Sequence, residues 1–351
     1  MGFKRFGRIA LYEKARKVIS KRGRGHLSKL LVFSGLKPTA NSARASGRRQ
    51  GTVVFSADFE MAWAFRYSRS LADRAEAMGL MERKQVPQLL EIFDCHEVPI
   101  TWATVGHLFL SDCRRDPSGR PHPEMPRPGH FENRNWRFTA GDWYDHDPCS
   151  SDHDYPAWYA PDLIDRILKA RAKHEIACHT FSHIDFSDAV CSQTLAAAEL
   201  DACMNLARIR NIRLKSMVFP GGTYGNFERL KERGILCYRK PAAFHLDEPE
   251  IDAFGLVSIP SSLGLDRDPY GWSREYHLDM LRKFLEKTLK TGLVCHFWFH
   301  PSMDEWYLDK VLPDLIAMVA ELRNQGALRV RTMAQLAEET LGKNSVAGEK
   351  R

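Results

Sequence analysis

Two rhythms of apolar and polar positions take turns along this chain. At Thr52 the run TVVFS is β-branched and apolar on both faces, as in a central parallel strand, and it ends in the mixed segment ADFEMAWAFR. The pattern then predicts a helix around Lys84 to His96 and a strand over PITWATV, Pro99 to Val105. From Pro161 the alternation is regular: helix 161–173, strand Glu175 to Cys178, helix Ala189 to Arg210, strand Lys215 to Phe219, helix 226–234 and strand Ile235 to Tyr238. A strand at Leu256 to Ile259, a helix 275–290, a strand Gly292 to Phe299, a helix 309–325, a strand Leu328 to Arg331 and a helix 333–341 complete it. Repeated β-α units of this kind predict an α/β fold, a distorted (β/α) barrel of about seven strands, with chemistry where the strands end.

Two stretches break the rhythm. Residues 111–158 show no periodicity and are rich in Pro, Gly, Asp, His and aromatics, so they are expected to form an ordered loop serving as a lid. The first fifty residues hold fourteen Lys/Arg and one acid, Glu13, a net +13; with +7 overall, the remainder carries −6. Residues 1–51 thus read as a basic extension and linker, 52–342 as one barrel domain and 343–351 as a disordered tail. Within the extension, residues 3–22 have the spacing of a basic amphipathic helix able to lie on an anionic membrane. The acidic body argues against nucleic-acid binding. The eight cysteines form no C-x-x-C pair, and the basic start lacks the unbroken apolar core of a signal peptide. Both features suggest a cytoplasmic protein, peripheral at the inner face of the membrane.

Polar residues gather at three strand ends. HEIAC leads into HTFSH, where His179 and His183 stand four apart and would share one face of a helical turn, within reach of one metal ion. The HE at His174 does not make a zinc-protease motif, because position 178 is Cys, and His174 reads as structural. Asp58 and Glu60 follow the first strand and, two apart, point the same way. GLVCHFWFHP ends in His300, while His296 within that strand reads as a core residue.

In this order the three clusters resemble the polysaccharide deacetylase family, carbohydrate esterase family four, over roughly Thr52 to Leu341. HTFSH matches the family's H-[ST]-x-x-H zinc motif. ADFE looks like its paired acids in a D-x-[DE] form, TWATVG occupies its second strand, FWFHP its last motif, and TMAQLAEE is similar to its closing segment. The resemblance implies Zn2+, or another divalent transition metal, held by Glu60, His179 and His183, with Asp58 as general base and His300 as general acid. The spacing of the two acids leaves an exchange of roles between Asp58 and Glu60 open. A third motif departs from the family: MVFPGGTYGN has Pro220 but Gly221 and Gly222 where an Arg that pairs with the base is expected; either Arg66 or Arg239 replaces it from another segment or Asp58 is differently tuned. Trp63, Arg66, Tyr224 and Trp298 are the candidates to line a sugar cleft, with Trp102 beside them, although for any one of these aromatics a place in the core is the commoner role. The implied activity is removal of an N-acetyl or N-formyl group from an amino sugar in a surface polysaccharide precursor, linked to a nucleotide or a polyprenyl phosphate. The rival expectation is a non-catalytic sugar-binding protein on a degenerate deacetylase domain.

Overall fold

The computed structural model describes residues 50–241, 244–267 and 271–348. The amphipathic stretch 3–22, and nearly all of the extension, lie outside the described residues. In chain order the strands are β1 Gly51–Phe59, β2 Thr101–Thr104, β3 Phe131–Glu132, β4 Arg137–Phe138, β5 Glu175–Cys178, β6 Ser216–Met217, β7 Cys237–Pro241, β8 Glu250–Ile251, β9 Val257–Ser261, β10 Leu263–Gly264, β11 Val294–Phe299 and β12 Leu328–Val330. The helices are α1 Ala75–Cys95, α2 Pro161–Lys169, α3 Gln193–Ile209, α4 Phe227–Glu232, α5 Arg274–Thr291, α6 Glu305–Lys310, α7 Leu312–Asn324 and α8 Met333–Gly348.

Strand β1 is buried throughout, and its two faces serve different cores. Val53, Phe55, Ala57 and Phe59 point outward into the layer beneath the helices, whereas Val54 belongs to a separate inner cluster with Ala103, Val218, Val257, Ile259 and Val294. The inner cluster is closed by Met333, Leu336 and Ala337 of α8. That helix sits across the starts of the strands: its first backbone N–H groups donate to Thr101 Oγ1 and to the Glu175 carboxylate.

Parallel pairing runs β11-β1-β2-β5-β6-β7-β9, and β10 pairs with β11. Because only Ser262 separates β9 from β10, one bent strand pairs with β7 through its first half and with β11 through its second. The Ser262 N–H also donates to the His296 carbonyl at 2.7 Å. The ring therefore closes as seven staves, with β8 and β12 flanking it on β9 and β1.

Several boundaries differ from the sequence expectation. Helix α1 begins at Ala75 instead of Lys84 and carries Pro87 inside it. The expected helix 309–325 is two, α6 and α7, with Pro313 at the start of the second. Helix α8 continues to Gly348, so the expected tail is helical over 343–348. Residues 111–158 do form an ordered structure, built around the small β3–β4 hairpin and the buried rings of Trp136, Phe138, Trp143 and Tyr144.

Candidate metal centre and active site

The ends of β1, β5, β7 and β11 converge on one polar centre. Glu60 Oε2 lies 3.0 Å from His179 Nε2 and 3.0 Å from His183 Nε2. His179 Nδ1 is 2.7 Å from the Val218 carbonyl, which accepts its proton and fixes the ring with Nε2 turned toward Glu60. The two imidazoles do not meet across a helical turn as the spacing suggested. HTFSH is a loop in which Thr180 and His183 both take left-handed backbone angles, φ 60° and 53°. Met61, directly after Glu60, is left-handed too, at φ 48°. Backbone strain of this kind persists where the surroundings over-determine it.

Two buried glutamates supply that constraint. Glu199 of α3 accepts the Ser182 N–H at 2.8 Å and the Ser182 hydroxyl at 2.6 Å, pinning the histidine loop. Glu82 of α1 accepts the N–H groups of Glu60 and Met61 at 3.2 and 2.9 Å, pinning the acidic turn. Gly79 lets α1 come this close: a Cβ there would lie 2.6 Å from the Ala157 carbonyl and 2.9 Å from Ala62 N. Sequence reasoning missed Glu82. The signal was available, since Glu82 falls on the same helical stripe as Gly79, Val86 and Leu89, where an acid is out of place unless it has partners.

Arg239 on β7 fills the place of the absent third-motif arginine. It grips Asp58 with both terminal nitrogens, each 2.6 Å from a carboxylate oxygen, and also donates to Ser56 Oγ at 3.0 Å. The glycine at 221 has its own cause: it sits at φ 55°, and a Cβ would meet Asn135 and Trp136 at 2.5 Å. The 111–158 insertion packs directly on that backbone, so no side chain fits there. Burial acts to raise Asp58, but the Arg239 charge and hydrogen bonds outweigh it and hold the carboxyl below its usual range. Glu60 is also held well below, its burial overcome by His300, His183 and His179.

On the open side His300 Nε2 is 3.4 Å from Glu60 Oε1 and 3.9 Å from Asp58 Oδ2, and its side chain is 42% exposed. The Trp298 ring carries the Arg239 guanidinium at 4.8 Å and meets the His300 ring at 5.5 Å. Half-buried Tyr224 lies within electrostatic reach of Arg239 and Asp58, and Trp136 from the insertion meets the His183 ring at 5.6 Å.

Three expected cleft residues are elsewhere. Trp63 and Trp102 are 0% exposed and belong to the outer core. Arg66 is 3% exposed, donates to the Ser182 carbonyl at 2.8 Å, and lies between the Trp63 and Trp143 rings. Trp63 and Arg66 share a reason, since the insertion covers this side of the acidic turn and gives them packing partners instead of solvent, whereas Trp102 packs in β2 against Phe59 and His174. His296 is wholly buried with Nε2 2.8 Å from Ser56 Oγ, and His174 accepts the Ile100 N–H at 3.0 Å. Both are structural, as read from the sequence.

No protein-family model matches the sequence, nor does any curated protein. Among solved structures, a polysaccharide deacetylase described as putative, from Mycobacterium smegmatis, aligns over 88% of this chain and 96% of its own, with 18% identity and a TM-score of 0.57. The chain has the polysaccharide deacetylase fold. A CE4 family pseudoenzyme from Bacillus anthracis (12% identity, 83% and 66% coverage, TM-score 0.41) and the peptidoglycan deacetylase PdaC from Bacillus subtilis (14%, 86% and 96%, 0.39) align more loosely. On this deacetylase fold, Glu60, His179 and His183 are one of the groups whose ligand atoms lie close enough together to hold a single ion.

Proposed function

We propose that the protein is a metal-dependent hydrolase that removes an N-acetyl or N-formyl group from an amino sugar. The observation that carries this reading is the shared oxygen of Glu60, 3.0 Å from two histidine nitrogens, with the Asp58–Arg239 pair and His300 beside it. Two imidazoles and a carboxylate suit a divalent transition metal such as zinc, and the Val218 carbonyl on His179 Nδ1 leaves Nε2 as the atom that would face the ion. Such an ion, when bound, makes water acidic near neutral pH and stabilises negative charge on an acyl oxygen. Asp58, kept anionic by Arg239, accepts the proton of the attacking water. His300, on the exposed side, delivers a proton to the departing amine, which leaves poorly without one.

The polar precursor of a surface polysaccharide, carried on a nucleotide or a polyprenyl phosphate, is the substrate class we favour. The basic composition of residues 3–22 supports the lipid-linked form, with the enzyme at the inner face of the membrane. Among the described residues no helix is long and apolar enough to cross a membrane. The test is release of free amine from N-acylated nucleotide- and polyprenyl-linked sugars by the full chain, beside Asp58→Asn. We expect turnover that falls at least about a thousandfold in the variant. Sugar binding unaffected by Asp58→Asn, with no turnover on any precursor, would instead identify a non-catalytic binding protein.

A further inference from the structure

A second cluster of ligand-type side chains lies apart from the Glu60 centre. His107 follows β2, and Cys113, His122 and Asp147 come from the 111–158 insertion; their donor atoms lie within 4.8 Å of one another. His107 and Asp147 have side chains with no exposure, and His122 is nearly as buried. Asp147 Oδ2 is 2.9 Å from His107 Nε2 and 2.7 Å from His122 Nε2, and Cys113 Sγ is 3.5 Å from the same oxygen. We propose that these four residues form a structural zinc site, separate from the catalytic centre, that fastens the insertion to the barrel.

Three features of the geometry support it. The first is convergence: two imidazole nitrogens point at one buried carboxylate oxygen, as they do at Glu60. His107, itself wholly buried, faces this oxygen with Nε2 at 2.9 Å, so its ring is aimed at the same point as the donors of its neighbours. The second is the outer shell. Asp147 Oδ1 accepts the Cys149 N–H at 2.9 Å and the Tyr159 hydroxyl at 3.1 Å, so this oxygen is occupied while Oδ2 faces the cluster. His122 presents Nδ1 to Glu124 at 3.4 Å, the carboxylate–histidine arrangement that orients a metal-binding imidazole.

The third is the donor set. A tetrahedral zinc ion places its nitrogen, oxygen and sulfur donors roughly 3.3–3.6 Å apart. The sulfur–oxygen spacing of 3.5 Å to Asp147 Oδ2 already matches, and a modest turn of the carboxylate opens the two nitrogen–oxygen spacings. One thiolate and one carboxylate neutralise a dication, and thiolate with imidazole selects zinc over magnesium or calcium.

The placement gives the site a purpose. Nearly fifty residues between Ser111 and Trp158 contain only the β3–β4 hairpin as regular structure. The three insertion ligands sit near its start, in its first third and near its end, and His107 belongs to the barrel. One ion would therefore close the insertion on itself and on β2 together, and so position Trp136 and Asn135 over the catalytic loop.

The test is metal analysis of the tag-free full chain loaded with Zn2+ and, separately, with Co2+. Wild-type protein is expected to retain two equivalents of metal, Cys113→Ser one, and the double variant His179→Ala, His183→Ala one. Because the Glu60 centre has no sulfur ligand, only the proposed site gives a thiolate-to-cobalt charge-transfer band in the near ultraviolet. That band is expected in wild type and in the double histidine variant, and lost in Cys113→Ser. A cobalt spectrum without the band, or a Cys113–Cys149 disulfide in the isolated protein, overturns the site, whereas a single equivalent that keeps the band and is lost in Cys113→Ser would sink the metal reading of the Glu60 centre instead. The wild-type spectrum needs no variant to fold, and it reads the second site whether or not the Glu60 centre proves catalytic.

Discussion

Asp58 and Glu60 leave the same strand end two residues apart, and their neighbours set them to different work. Asp58 is gripped by the planar fork of Arg239, a geometry that a lysine cannot reproduce. Arg239→Lys keeps the charge but gives up one of two charge-assisted hydrogen bonds. It should lower kcat/KM by about 10- to 100-fold while metal content, measured by elemental analysis, stays unchanged. Behind Glu60, burial and then the Glu60 charge raise the Glu82 carboxyl well above its usual range, which favours its neutral form. Glu82→Gln, neutral and of the same shape, should therefore be tolerated within about 1 kcal/mol. Glu82→Leu leaves two buried backbone N–H groups without acceptors and should cost about 1–3 kcal/mol in urea denaturation, with loss of activity.

Helix α1 has to approach the acidic turn closely for Glu82 to reach it, and Gly79 sets the distance. Alanine is the better helix former by about 1 kcal/mol, so Gly79→Ala on an open helix would stabilise. Here its Cβ would press on backbone atoms on two sides, and the variant should instead lose about 1–3 kcal/mol, read as a lower Tm. The same helix shows where the sequence stopped being legible. Pro87 removes a helix hydrogen bond and hid the turns before it, although burial of Ala75, Gly79 and Glu82 maintains the helix through them. The strands were easier, because β1 and β11 are apolar on both faces and no other element reads that way. Candidate ligands were legible as residue types at strand ends. Their backbone was not: the left-handed angles at Thr180 and His183 depend on Glu199, some sixteen residues further on, and nothing local in HTFSH announces them. Nor does Gly221 reveal from its own segment that an insertion eighty residues earlier occupies the space above it.

For the whole molecule, acid tolerance follows from two imidazoles kept uncharged inside it. Burial pushes His174 down to about 4 and His296 down to about 3. Above pH 6.5 folded and unfolded chains are both neutral at these sites; below it the unfolded chain takes up protons that the folded one refuses. Stability should therefore fall as pH drops from 6.5, with His174 alone contributing a loss on the order of 3 kcal/mol by pH 4. Urea midpoints across that range check it, and His174→Gln should flatten the decline. The bent strand at Ser262 and the pairing of β1 with β11 bear on how the protein is made. The stave that carries Asp58 and leads into Glu60 is the first of the seven to be synthesised, yet one of its edges finds its partner only when residues 294–299 appear. Until then β1 is an apolar strand with an open edge, the kind of surface on which nascent chains associate wrongly. Assembly of this barrel is thus governed by long-range pairing, and shortening the chain before β11 would leave the acids synthesised, with no closed ring to hold them.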